Sequence, residues 1–169
     1  SLADLTVGNN ITNTTNYSSA STTIQVKVTD PTNNNCETFT TLDLVVLTLP
    51  GATNNPAPIE LCNDTGYEFF DLKTREIMMA AATPVADINF RYYLDLNDAL
   101  INSTGTISNP NSFTNTQINF QRIYVRLNSL TNIDSENNEA CFRILELDLY
   151  VRPFPVNNLL NRQYTICID

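Results

Sequence analysis

The sequence predicts an all-β protein, built of tandem immunoglobulin-like (Greek-key) β-sandwich repeats with one or two short helices per repeat. Three observations carry that expectation. The stretch LDLVVLTLP (Leu42–Pro50) returns as LDLYVRPFP (Leu147–Pro155), 105 positions later. The four cysteines keep the same offset, Cys36 with Cys141 and Cys62 with Cys167. Around both stretches apolar side chains fall on every second residue, the period of a strand with one buried face. A self-match at fixed spacing is the mark of a repeat architecture.

Taken in chain order, the elements support this reading. LADL (Leu2–Leu5) resembles LNDA (Leu96–Ala99), and ITNTTNY (Ile11–Tyr17) resembles ISNPNSF (Ile107–Phe113). IQVKV (Ile24–Val28) matches IYVRL (Ile123–Leu127) at an offset of 99, because the second copy has a longer Ser/Asn/Glu-rich turn. Glu37–Thr48 is expected as one long strand with Thr40, Leu42, Leu44 and Val46 on one face. Its second copy puts Leu145, Leu147, Leu149 and Val151 opposite Ile144, Glu146, Asp148 and Tyr150. Ala57–Leu61, Tyr67–Leu72 and Ile88–Leu94 complete the strands, the last burying Ile88, Phe90, Tyr92 and Leu94. Thr74 is placed to cap a short helix over Arg75–Ala82, which is rich in helix formers. Asp95 is placed to cap a single turn with Leu96, Ala99 and Leu100 at i, i+3, i+4 spacing. The chain therefore divides into residues 1–52, the C-terminal part of one repeat; 53–155, a complete repeat; and 156–169, the first strand of a third. The buried Trp and Cys…Trp…Cys spacing of true immunoglobulin domains are missing.

Four cysteines allow three pairings. The equal spacing suggests Cys36 with Cys62 and Cys141 with Cys167. A strand over Glu37–Thr48, at ~3.3 Å per residue, would carry the chain roughly 35 Å from Cys36 before Cys62 is reached. A disulfide needs Cα atoms within about 7 Å. Cys62, near the first strand, and Cys141, at the start of the last, are read as sharing one end of a unit. The expectation is a Cys62–Cys141 bond, with Cys36 and Cys167 paired outside these residues. Closing that loop would contribute roughly 4 kcal/mol in the chain-entropy model, and it implies an oxidising compartment.

Composition narrows the chemistry. A formal charge of −9 and a pI near 4.3 argue against nucleic acid and anionic membrane surfaces as partners. No apolar run reaches the ~18 residues of a membrane span, so membrane insertion is not expected. Histidine is absent, which removes the commonest general base. The carboxylate pairs Asp71/Glu76 and Asp95/Asp98 read as capping and turn residues. No Gly-rich phosphate loop occurs among four glycines, and the chain is expected not to be an enzyme. No cofactor is required. Calcium is the one metal with candidate ligands, at Asn63 and Asp64, at Asp95 and Asp98, and in the Asp134–Glu139 loop, although none has an alternating D-x-D-x-D-G pattern. Tyr93, Tyr124 and Tyr150 are candidate platforms for stacking on a sugar ring. Five N-x-S/T triplets occur, at Asn10, Asn13, Asn16, Asn63 and Asn102.

The ordered set Leu61-Cys62-Asn63-Asp64, Phe70-Asp71-Leu72, Phe90–Tyr93, Ile123–Arg126, Cys141 and Leu147–Pro155 resembles the adhesin-like repeats of large Bacteroidota cell-surface proteins. Those repeats stand upstream of the gliding-motility-associated C-terminal domain that directs type IX secretion. The resemblance implies a stalk or adhesive segment at the bacterial cell surface. Its expected partners are neighbouring repeats, the secretion machinery or a surface anchor, and surface polysaccharide. Two rival expectations are a carbohydrate-binding module and an accessory domain of a secreted enzyme.

Overall fold

Strands that alternate Leu/Val with charged or aromatic residues need one apolar cover and tolerate partial solvent on the other side. The last two strands among the described residues behave this way. In the computed structural model, residues 11–13, 15–33 and 36–156 are described. They belong to two units, residues 1–48 and 49–169.

The first unit contains β1 (Thr22–Asp30) and β2 (Cys36–Leu44), an antiparallel hairpin with Ile24 opposite Leu42 and Asp30 opposite Cys36. Lys27 and Glu37 form an ion pair across it, and Thr23 Oγ1 donates to Asp43 at 2.6 Å. Strand structure stops at Leu44, short of the expected Thr48.

The second unit contains β3 (Ile59–Cys62), β4 (Phe69–Phe70), α1 (Glu76–Ala80), β5 (Ile88–Tyr93), α2 (Leu96–Leu100), β6 (Phe113–Thr114), β7 (Phe120–Ile133) and β8 (Ala140–Arg152). One four-stranded sheet runs in the order β3-β8-β7-β5. β7 is antiparallel to both β8 and β5. β3 is parallel to β8, Ile59 lying beside Leu149 and Cys62 beside Arg152. That parallel edge departs from the antiparallel pairing expected from sequence.

Ile123, Val125, Leu127, Leu145, Leu147, Leu149 and Val151 point to one face and are buried there. The opposing layer is small: Phe70 and Phe113 from the β4–β6 ladder, Leu72, and Met79 and Ala80 of α1. The result is an all-β, sandwich-like domain. The stretch Tyr67–Leu72 supplies only the two-residue β4. A 3₁₀ turn over Leu72–Arg75 follows, capped by Asp71 accepting from Lys73 N–H. Thr74 does not cap the helix that follows: its hydroxyl donates to the Asp71 carbonyl, and α1 has Arg75 at its N-cap with no side-chain hydrogen bond there. Asp95 caps α2 as expected, accepting from Asn97 and Asp98 N–H. Leu94, expected inside, is exposed, as are Leu96 and Leu100; only Ala99 of that turn is buried.

The segment before β3 is fixed along β8. Arg143 Nε donates to the Pro50 carbonyl at 3.1 Å, and Glu146 N–H to Asn55 Oδ1 at 2.9 Å. Gly51 makes this possible: its φ is +75°, and a Cβ there would stand 2.6 Å from the Met79 carbonyl oxygen and against Leu127.

Candidate functional site

Two places in the second unit carry the residues that the sequence singles out, and they lie at opposite ends of β8.

At its C-terminal end, Cys62 closes β3 beside Arg152 with an exposed side chain. A tight turn follows: Asn63 N–H donates to the Arg152 carbonyl, and Asn63 Oδ1 accepts from Thr65 N–H and Oγ1. Glu68 accepts from Asn63 Nδ2 and from Phe69 N–H. The Phe69 bond, more than the Asn63 one, holds its carboxyl below the usual range. Asp64 Oδ1 accepts from Phe154 N–H at 2.9 Å, tying down the chain just beyond β8. Arg152 pairs with Glu60 and lies over the Tyr150 ring.

At the N-terminal end, Cys141 stands half-buried and free in the second position of β8, two residues before Arg143. Eleven residues of strand separate it from Arg152, roughly 35 Å of extended chain. The expected Cys62–Cys141 bond is therefore corrected: a disulfide reaches about 7 Å between Cα atoms, and both thiols are free. The parallel pairing of β3 with β8 sets Cys62 beside Arg152, at the far end of β8 from Cys141. Cys36, the first residue of β2, is also free and exposed. Cys167 and the strand expected after residue 156 lie outside the described residues, as do LADL and its partners before Ile11.

The three candidate tyrosines differ in accessibility. Tyr93 is fully buried, its hydroxyl donating to Asn102 Oδ1 and the Ser103 carbonyl at 3.2 Å, so it is corrected as a sugar-binding candidate. Tyr150 packs against Phe120, with ring centroids 5.0 Å apart, and beneath Arg152. Tyr124 sits mid-strand, opposite Glu146 on one side and Tyr93 on the other.

The calcium candidates are similarly placed in structural work. Asp64 holds Phe154, Asp95 caps α2, and Asn63 shapes its own turn. Among the described residues no three Cys, Asp or Glu side chains gather into a metal-binding group.

Sequence reading missed one feature, a polar cleft of about 570 Å³ between the end of α2 and the β7–β8 hairpin tip. Asn89, Arg91, Arg126, Asn128, Asn138 and Glu139 contribute to its lining. Arg126 is 7% exposed. Its Nε donates to Asn128 Oδ1, its Nη1 to the Ala99 and Leu100 carbonyls, and its guanidinium lies 3.3 Å from the Phe142 ring centroid. Burial pulls its pKa down. The signal was the alternation of β7, which aims Arg126 and Asn128 away from the core. Nothing in the sequence told which strand would lie beside it.

No helix among the described residues is long and apolar enough to cross a membrane. The molecule is thus a strand-built domain with accessible thiols at both ends of its longest strand pair. The class this defines is an all-β, sandwich-like module whose Cys62 and Cys141 are not bonded to each other. The chain belongs to the Flavobacterium inter-domain disulphide bond domain family, whose model matches residues 58–155. Membership points to an extracellular domain of a multi-domain protein from Bacteroidota. None of the curated proteins and none of the solved structures matches the chain.

Proposed function

We propose that residues 49–156 form one link of an extracellular array, a non-catalytic stalk that holds an adhesive region away from the bacterial surface. The observation that carries this is the placement of two accessible cysteines at opposite ends of one domain, in a chain whose cysteines recur every 105 positions. A thiol pair inside one unit would strengthen that unit; thiols at its two ends suit bonds to adjoining units, in keeping with the family's description. The finer setting follows from the resemblance of the repeats: a large adhesin exported by type IX secretion, with gliding motility as its context and a surface anchor as its partner. Short Pro-containing joints such as Pro153–Val156 act as semi-rigid spacers. Small-angle scattering of the unreduced parent protein tests the reading. The maximum dimension should rise in proportion to the number of repeats; a globule whose size grows only as the cube root would sink it.

A second reading is favoured by the cleft. Its amides and two guanidinium groups suit a polysaccharide, particularly one bearing carboxylates, better than the tyrosines do. A glycan array, with and without chelator, separates the two readings. Saturable binding lost in Asn89→Ala but retained in Tyr150→Ala would favour it.

A further inference from the structure

We propose that the cleft binds the carboxylate of an acidic sugar, a uronate, through Arg91, Arg126 and the side-chain amides of Asn102 and Asn128. This rests on the polysaccharide reading of the cleft and adds which group of the ligand is held and by which atoms. β5 and β7 pair Asn89 with Asn128 and Arg91 with Arg126, on the sheet face away from Ile88, Val125 and Leu127. Two arginines set directly opposite repel one another; burial first, and Arg91 besides, hold the Arg126 pKa down. Although acidic residues outnumber basic ones by 18 to 9, neither arginine forms an ion pair among the described residues. A charge more than nine-tenths buried, as Arg126 is, is costly to leave uncompensated. An anion bound by both guanidinium groups relieves the repulsion and the uncompensated charge together.

The hydrogen bonds already in place decide what kind of anion fits. A guanidinium only donates, so it orients the amides around it. Asn128 Oδ1 accepts from Arg126 Nε, and Asn102 Oδ1 accepts from Arg91 Nη1 and the Tyr93 hydroxyl. The Ala99, Leu100 and Ser103 carbonyls are occupied in the same way. Without a protein partner among the described residues are Arg91 Nε, Arg126 Nη2 and the Nδ2 groups of Asn102 and Asn128, and all four residues line the cleft. Every one of these groups is a donor. A carboxylate is planar, negative and accepts only, which is what a donor set built on guanidinium forks selects. Exposed Leu100, Ile101 and Leu130 on the walls supply apolar surface for the C–H face of a sugar ring, which a bare inorganic anion cannot use. Glu139, the carboxylate among the lining residues, stands exposed at the hairpin tip and pairs with neither arginine.

Calorimetric titration of the 169-residue chain tests the assignment, with trimers of galacturonate, glucuronate and mannuronate as probes, each also as its methyl ester. At least one acid should bind, and its ester should bind about tenfold or more weakly, because charge-assisted hydrogen bonds are lost. Acid and ester bound alike would overturn the carboxylate assignment and leave the polysaccharide reading standing. Acetate bound as tightly as the sugar acids would overturn the sugar and leave only an anion site. No binding by any acid would overturn the proposal; if neutral glycans on the array also fail, the polysaccharide reading falls with it. Because Arg126 also holds the end of α2, the variants are Arg91→Gln and Glu139→Gln. Arg91→Gln should weaken the acid about tenfold and leave the ester unchanged; equal losses for both would mark a structural role only and overturn the assignment of Arg91. Glu139→Gln should tighten acid binding about twofold by removing a like charge; weaker binding would place the anion elsewhere.

Discussion

The hairpins β1–β2 and β7–β8 are written with the same register but live in different surroundings. Ile24 faces Leu42 as Ile123 faces Leu147, and Gln25 faces Thr41 as Tyr124 faces Glu146. Eight successive pairs agree under the offsets of 99 and 105, from Thr22–Leu44 to Thr29–Glu37. Yet Leu147 is fully buried while Leu42 is 52% exposed, and Leu127 is fully buried while Val28 is 50% exposed. Register is a property of the two strands and their turn; burial belongs to the layers laid over them. The second unit has those layers in α1, Phe70 and Phe113, and an isolated hairpin is marginal in water.

The largest effect should therefore separate the two copies. Leu147→Ala should cost the second unit about 2–5 kcal/mol, read by urea unfolding, because it opens a cavity in a closed core. Leu42→Ala in the same 169-residue chain should shift that transition by no more than about 0.5 kcal/mol. In a longer chain that carries the preceding ~50 residues, Leu42→Ala should become as costly as Leu147→Ala. Equal, small effects in the longer chain would mean that the hairpins share a register but not a domain type.

Gly51→Ala comes next. A side chain at φ +75°, pressed on the Met79 carbonyl and Leu127, should cost about 1–3 kcal/mol. An unchanged unfolding midpoint would show that the segment before β3 is not seated on the sheet.

A more modest effect at neutral pH concerns Tyr92, whose hydroxyl donates to Glu76 Oε1 at 2.8 Å. Burial first, then the Glu76 carboxylate, push its pKa far above the ordinary value. The folded domain thus keeps a proton that the unfolded chain releases near pH 10. Stability is fully present below about pH 10 and falls as pH rises beyond it. Tyr92→Phe should cost about 1 kcal/mol at pH 7 and flatten that alkaline decline. A variant that declines as steeply as the parent would locate the alkaline sensitivity elsewhere.

Much of the fold was legible in the residues. The period-two pattern of Leu145–Val151 names the buried face, and Asp95 before Leu96 names the start of α2. What the pattern does not encode is direction. Four residues such as Ile59–Cys62 read the same beside a parallel or an antiparallel neighbour, so the sequence does not say which end of β8 lies beside Cys62. Leu94 was misread because alternation continues one residue past the point where Asp95 turns the chain. Tyr93 fails as a ligand platform for a related reason: the loop after α2 folds back over it, and its cover comes from Asn102 and Ser103, not from its own strand.

The β3–β8 edge also bears on how such a domain comes to be folded. Glu60 and Arg152, which pair across it, are 92 positions apart in sequence. Contacts of such high contact order form slowly, because loop-closure entropy must be met before they stabilise anything. A chain delivered N-terminus first cannot complete this sheet until almost the whole unit has emerged. Vectorial delivery thus makes the final strand the step that closes each domain, and until then the partner of Ile59 is still in transit.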